Sequence, residues 1–302
     1  MKAGFVSLVG RPNAGKSTLV NRFVGQKVAI VSDKPQTTRH RIVGVRNRPD
    51  GQIVFIDTPG IHKPMHRMNR RMVDTAIDSL RDVDVAVLVV DVSTRPGAGD
   101  TFVLDVLKRA RVPAVLALNK IDLVKKAHLL PVMDRYARAL EFKAVVPLSA
   151  VTGDGVDALE QEVVAALPEG LPLYPGDYLT DQTQRSLAAE LIREKVLHHT
   201  RDELPYTTAV IIDQFEEPAE EGGLTRIFAS ILVDQASQKP IVVGKGGDMI
   251  KRIGTEARHD LEQMLDGRVY LDLHVKVRED WRDDERVLDE IGLGRSPSRM
   301  RE

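Results

Sequence analysis

Five short runs in the first half of the chain are almost wholly apolar: Phe5–Val9, Ile53–Ile56, Val83–Val90, Ala114–Leu118 and Ala144–Leu148. They alternate with stretches of helical spacing. Strands covered on both faces read this way, so the pattern predicts a doubly wound, mostly parallel α/β sheet with crossover helices. Ile42–Val45 and Gln52–Phe55 flank Arg46–Gly51. The Asp-Gly ending of that loop signals a hairpin, so one antiparallel strand is expected in the sheet. The alternation stops at Leu167–Gly176, where three prolines and two glycines end both helix and strand.

Beyond this break the periods change. Leu187, Leu191, Ile192 and Val196 fall at helical spacing within Arg185–Thr200, and Thr207–Phe215 and Arg226–Val233 read as strands around the loop Glu216–Gly223. A short apolar stretch ending at Val243, a helix across Glu256–Leu265 and an alternating strand over Val269–Val277 complete an α-β-β-α-α-β order. The expected division is a first domain over residues 1–170, a linker over 171–182, a second domain over 183–280 and a C-terminal segment over 281–302. The last nine residues read as a flexible, basic-polar end.

A length of 302 residues accommodates roughly two domains, each able to bury a core. With 43 Lys and Arg against 44 Asp and Glu, no global field draws the chain to polyanions, so any nucleic-acid contact needs a local patch. The absence of cysteine excludes a disulfide framework and cysteine-ligated zinc. No run of 18 uncharged apolar residues is present. These features fit a cytoplasmic protein.

The chemistry is concentrated in loops that follow the apolar runs. Gly10-Arg11-Pro12-Asn13-Ala14-Gly15-Lys16-Ser17 stands between the first strand and a helix that opens with Thr18, and it spells G-x-x-x-x-G-K-[ST]. Its glycines let successive N–H groups converge on phosphate oxygens at a helix N-terminus. Lys16 adds a cation for the β- and γ-phosphates, and Ser17 a hydroxyl for Mg²⁺. Asp57-Thr58-Pro59-Gly60 follows the second parallel strand. Here a carboxylate can hold a Mg²⁺-bound water and the Gly60 N–H can reach a γ-phosphate. Alone, this tetrapeptide is an ordinary turn.

Asn119-Lys120-Ile121-Asp122 follows the strand Ala114–Leu118. Guanine presents N1–H and an exocyclic amine side by side, so one carboxylate, Asp122, can accept from both, which adenine does not allow. Asn119 would offer its amide to the base or brace the loop, and the Lys120 stem can lie on the base face. Ser149, Ala150 and Val151 offer backbone N–H groups to the base carbonyl, although a plain strand-to-helix loop reads the same way. His198 and His199 are adjacent on one helix and diverge, which argues against a metal pair. The basic run across residues 61–71 reads as a solvated face or a partner surface.

In this order the motifs resemble the translation-factor-related GTPases over residues 1–167, an α/β P-loop GTPase domain. The resemblance places Gln36-Thr37-Thr38-Arg39-His40 in the first switch, with Thr38 bringing a hydroxyl to Mg²⁺ when GTP is bound. It implies Lys16, Thr38 and Gly60 as catalytic positions. Where Ras-like GTPases carry a water-orienting glutamine, this chain has Ile61, which cannot hydrogen-bond a nucleophile, so slow intrinsic turnover is expected. Asn13 stands where related GTPases hold a potassium ion, making it a candidate K⁺ ligand.

Gly244-Lys245-Gly246-Gly247 is a G-x-x-G loop. Alone it equally marks a glycine hinge. In its α-β-β-α-α-β setting it resembles the bacterial, type II K-homology (KH) fold, an α+β domain whose groove holds about four single-stranded nucleotides. Val243, Gly244, Lys245, Gly246, Gly247, Met249, Ile250, Lys251 and Arg252 would face the RNA.

A GTPase domain followed by such a KH domain resembles the Era family of bacterial ribosome-assembly GTPases over residues 2–291. Leu204-Pro205-Tyr206, Ile253-Gly254 and Trp281–Arg286 carry the likeness in the second half. The family implies binding of the 3′ end of 16S ribosomal RNA in the 30S subunit precursor, under control of GTP and GDP. It also allows a peripheral inner-membrane pool beside the cytoplasmic one. No heptads or interface signature appear, so a monomer is the default. A P-loop enzyme phosphorylating a small substrate and an RNA-binding scaffold that keeps GTP without turnover remain as alternatives.

Overall fold

The computed structural model describes every residue except Pro35, His62, Lys63, Met65, Glu221 and 295–302. The first part runs β1 (Lys2–Val9), α1 (Lys16–Val24), β2 (Ile42–Asn47), β3 (Gly51–Asp57), α2 (Arg67–Asp78), β4 (Val85–Asp91), α3 (Ala98–Ala110), β5 (Ala114–Asn119), α4 (Leu129–Ala139), β6 (Ala144–Pro147) and α5 (Val156–Ala166). The strands form one six-stranded sheet in the order β2-β3-β1-β4-β5-β6. Only β2 is antiparallel to its neighbour, as the hairpin signal predicts. Strand order sets the site: the loops after β1, β3, β5 and β6 emerge at one edge, the carboxyl ends, where doubly wound sheets bind ligands.

Alternation along each strand divides the core between two faces. Leu8, Phe55, Val87 and Val115 pack with α1 and α5 on one side, while Val9, Leu88 and Leu116 pack with α2, α3 and α4 on the other. Each such side chain contributes on the order of 1.5–3 kcal/mol when fully buried. The stretch expected as a linker has no helix or strand, but it is tied down. Gln52 accepts from the Leu173 and Tyr174 N–H groups at 2.6 and 2.9 Å, and the Val45 N–H donates to the Leu179 carbonyl at 2.8 Å. Tyr174 and Tyr178 stack at 4.7 Å and pack on Val43, Val45 and Val54. The chain crosses between domains as a strap along the sheet.

The second part comprises α6 (Gln184–His199), α7 (Leu204–Thr207), β7 (Thr208–Glu216), β8 (Leu224–Val233), α8 (Lys239–Val243), α9 (Asp248–Leu265), β9 (Arg268–Val277) and α10 (Glu285–Glu290). Its sheet has the order β7-β8-β9, with β7 antiparallel and β9 parallel to β8. The expected helix over Glu256–Leu265 is the latter half of α9, which begins eight residues earlier, at Asp248. Ile253, Ala257 and Leu261 form one buried ladder through that helix. That burial outweighs the roughly 1 kcal/mol that an interior glycine, Gly254, costs.

The C-terminal segment is where sequence reasoning had least to say, and it is firmly packed. Trp281, fully buried, lies in a cluster with Met68 and Met72 of α2, Ala209 and Leu232 of the second sheet, and Val287 and Leu288 of α10. The basic face of α2 meets it, with Arg71 on Asp289 at 2.7 Å and Arg67 on Glu285 at 3.4 Å. His62 and Lys63 of the same basic run, and the expected flexible end beyond Gly294, lie outside the described residues. His199 pairs with Glu256 of α9 at 2.7 Å and His198 meets the Val31 carbonyl of the first domain at 3.2 Å, so one joins α6 to α9 and the other joins α6 to the first domain.

Candidate nucleotide cleft and RNA groove

Gly15 caps α1 in the left-handed region at φ 96°. A Cβ there would lie 2.2 Å from Asn119 Nδ2, so only glycine fits. Asn119 Nδ2 donates to the Ala14 carbonyl at 2.8 Å, and its Oδ1 accepts from the Ala150 N–H at 2.9 Å. One buried amide thus ties three loops together and acts as a brace. Arg22 of α1 reinforces this by donating to the Ala150 and Val151 carbonyls. Lys120 pairs with Asp91 at 2.6 Å, while Asp122, two residues on, is exposed.

Gly60 is held as tightly as Gly15. Its Cβ would meet Pro12 N at 2.5 Å, and the next residue, Ile61, donates its N–H to the Gly10 carbonyl at 3.1 Å. Thr58 anchors the turn by donating to the Leu8 carbonyl at 2.7 Å. The Ile61 side chain is fully buried with Leu80 and Val9, so it points away from the cleft and cannot orient water. Arg11 turns outward to Asp100 at 3.1 Å, and its carbonyl accepts from Lys16 Nζ at 3.2 Å. Asn13, at φ 61°, donates from its amide to the Asp33 carbonyl.

Three oxygen groups converge at the floor. Ser17 Oγ lies 2.7 Å from Thr38 Oγ1 and donates to Asp57 Oδ2 at 2.6 Å, and Thr38 Oγ1 donates to the same Oδ2 at 3.2 Å. Asp57 Oδ1 is buried with no hydrogen-bond partner. Burial pushes the Asp57 carboxyl above its usual range, against the pull of Lys16, Ser17 and Thr38; burial likewise pushes the Lys16 ammonium down, against the pull of Asp57. Two hydroxyls and an under-satisfied carboxylate are a hard, all-oxygen donor set, which fits Mg²⁺. Ser17 and Thr38, with Lys16, Gly60 and Lys120, line a cavity of about 320 Å³, and the fully buried Asp57 lies behind the two hydroxyls. Ile30 and Val31 also line it, and nothing in their types had marked them.

The second site is open. Gly244, Gly246 and Gly247 have φ of 78°, 63° and 85°, and the loop they form starts α9. Val243, Met249 and Ile250 all pack against the domain core, and Ile250 also lines, with Lys251, a groove of about 340 Å³ between α9 and β9. Arg252 pairs with Glu256 at 3.3 Å. Gly254, Thr255, Arg258, Leu271 and Leu273 complete the groove, and sequence reasoning missed them. Gly254, an isolated glycine in a helical pattern, was the available signal.

The segment expected as the first switch touches the second domain. The Thr37 carbonyl accepts from Arg193 of α6, and Arg39 donates from Nη1 to the Thr208 carbonyl at 2.8 Å and from Nη2 to the Pro205 carbonyl at 3.2 Å. Arg39 also lies 5.6 Å from the Trp281 ring centroid, and Trp281 donates to the Thr207 carbonyl at 2.9 Å.

A phosphate loop, the Asn119–Asp122 strand end beside it and an all-oxygen floor on a doubly wound sheet, with a KH domain behind, define a P-loop GTPase of the KH-bearing class. Residues 5–120 match the model of the 50S ribosome-binding GTPase family and residues 203–282 that of the KH domain. GTPase Era of Geobacter metallireducens is 50% identical over 291 residues, 96% of this chain and 97% of that protein. Its counterpart in Heliobacterium modesticaldum is 46% identical over 293 residues, 97% of each chain. Among solved structures, an Aquifex aeolicus Era variant bound to GDP·AlF4⁻ superposes with a TM-score of 0.92 at 39% identity, covering 97% of this chain and all of that one. Era in complex with MgGDPNP and nucleotides 1506–1542 of 16S ribosomal RNA gives 0.93 at 39% identity, covering 97% and 99%. The chain belongs to the Era family of GTPases.

Proposed function

We propose that this chain is a Mg²⁺-dependent switch whose GTP state binds the 3′ end of 16S ribosomal RNA through the groove between α9 and β9, in assembly of the 30S subunit. One observation carries the coupling: Thr38, whose hydroxyl sits on the metal floor, is bonded along the chain to Arg39, which is buried against the KH domain. GTP, by fixing Thr38 and Gly60, would fix Arg39 and α2, and with them the setting of the second domain. Linkage requires RNA to raise affinity for GTP by the same factor. Mg²⁺ would be held by Ser17 and Thr38 and, through water, by Asp57. The related complex containing MgGDPNP and 16S ribosomal RNA supports both ligands.

The deciding experiment measures binding of a short RNA carrying that 3′ end to the protein loaded with GDP, with a non-hydrolysable GTP analogue, and to a variant carrying Gly244→Asp with Gly247→Asp. Tight binding only with the analogue, lost in the double variant, is expected. Equal binding in both nucleotide states would remove the coupling. For Asn13 the proposal is a K⁺ ligand during hydrolysis: turnover should be faster in potassium than in sodium, and Asn13→Ala should abolish the difference.

A further inference from the structure

Between the two domains lies a cavity of about 860 Å³, bounded by β1, β3, residues 39–41, α2, α6, β7 and residues 289–294. Its volume is that of a small-molecule site. Two of its lining arginines are almost completely buried, Arg39 at 3% and Arg193 at 2% exposure. Glu190 satisfies Arg193 at 2.8 and 2.6 Å, but Arg193 Nη1 and Arg39 Nε have no acceptor. Arg39 has no carboxylate within ion-pair distance among the described residues; its bonds go to backbone carbonyls. Burial, and next the charge of Arg193, push its guanidinium down to about 9. Two buried guanidinium groups that share one carboxylate, Glu190, bonded to Arg193 alone, and buried N–H groups without acceptors are both costly, and one ligand group would relieve both.

Arg41 and Arg185, with exposed side chains, add two further guanidinium groups to the same wall. The carboxylates Asp78, Asp82, Asp289 and Glu290 line the α2 and α10 side, so an anion is directed to the wall formed by α6 and Arg39. Phe5 and Ile56 supply an apolar surface for an uncharged body. We infer that this cavity is a binding site for a small phosphate-bearing anion, held between Arg39 and Arg193 and steadied by Arg41 and Arg185. Several guanidinium forks suit a group with three or more acceptor oxygens better than a lone carboxylate. Because Arg39 follows Thr38 directly, the bound anion would tie the first switch to α6.

Trp281, the only tryptophan in the chain, lies beside Arg39 and reports on the site. The full-length protein, saturated with Mg·GDP so that the phosphate loop is filled, is titrated with inorganic phosphate, with ribose 5-phosphate, and with potassium chloride at matched ionic strength. A saturable, one-to-one change in Trp281 emission is expected with a phosphate probe and not with chloride. The tighter of the two phosphate probes distinguishes a free ion from a monoester. Arg41→Ala should weaken binding severalfold, and Arg39→Lys, which removes the fork, roughly tenfold. Glu190→Gln should tighten it, because the carboxylate that now competes for Arg193 is gone. If Arg39→Lys does not fold, the opposite signs of the other two variants still decide. No saturable change with either phosphate probe, the same change with chloride, or weaker binding in Glu190→Gln would overturn the assignment.

Discussion

The molecule carries two glycine-rich loops at helix N-termini, and they are built on opposite principles. In the phosphate loop each glycine is walled in: added Cβ atoms would strike Val89 O at 2.3 Å from Gly10 and Asn119 Nδ2 at 2.2 Å from Gly15. In the KH loop only Gly244 is crowded, by Met249 N at 2.7 Å; Gly246 and Gly247 have nothing within 4 Å and are glycine for their positive φ alone. The first loop is completed by the rest of its own domain before a ligand arrives. The second awaits its ligand. Binding at the first should therefore fail by collapse of the protein's own contacts, and at the second by graded loss of contact with RNA.

Gly15→Ala should break the contrast at its strongest point. It combines left-handed strain with a clash against Asn119, and nucleotide affinity should fall by at least roughly a hundredfold, about 3 kcal/mol, in a fluorescent GDP titration. Retained affinity would mean that the loop is as yielding as the KH one. Asp57→Asn should weaken GTP binding on the order of tenfold in Mg²⁺ and leave it unchanged in EDTA, since the carboxylate acts through the metal. Arg39→Ala should leave GDP and RNA each able to bind but remove the factor of roughly 5–150 by which a GTP analogue is expected to raise RNA affinity. Gly247→Ala should cost only about 1 kcal/mol in urea unfolding, with RNA affinity down severalfold and GDP affinity untouched. If Gly247→Ala proves as damaging as Gly15→Ala, the distinction between the loops is wrong.

Legibility followed the same divide. The phosphate loop, Asp57–Gly60 and Asn119–Asp122 announce themselves because each task needs several residue types at fixed spacing within one loop. The sheet was readable because fully buried strands are continuously apolar. The groove residues Thr255, Arg258, Leu271 and Leu273 were not, because they meet only after α9 packs on β9, some 13 residues apart in sequence at the closest pairing, that of Arg258 and Leu271. The burial of Trp281 and Arg193 was equally hidden: Trp281 stood out only as part of a family likeness and Arg193 not at all, because part of what covers them comes from the first domain, distant in sequence. The tie between Tyr174, Gln52 and Val45 escaped because prolines and glycines report where regular structure stops, not what irregular chain packs against.

The adjacency of Thr38 and Arg39 has a consequence for how the chain can change over generations. Successive side chains here answer to different masters, one to the nucleotide floor and the next to the KH domain, so the stretch must stay in step as well as keep its residue types. Under the proposed coupling, a residue inserted between them would preserve both chemistries yet put them out of phase, disconnecting the nucleotide floor from the KH domain. Length, at this one peptide bond, is as much a part of the message as composition.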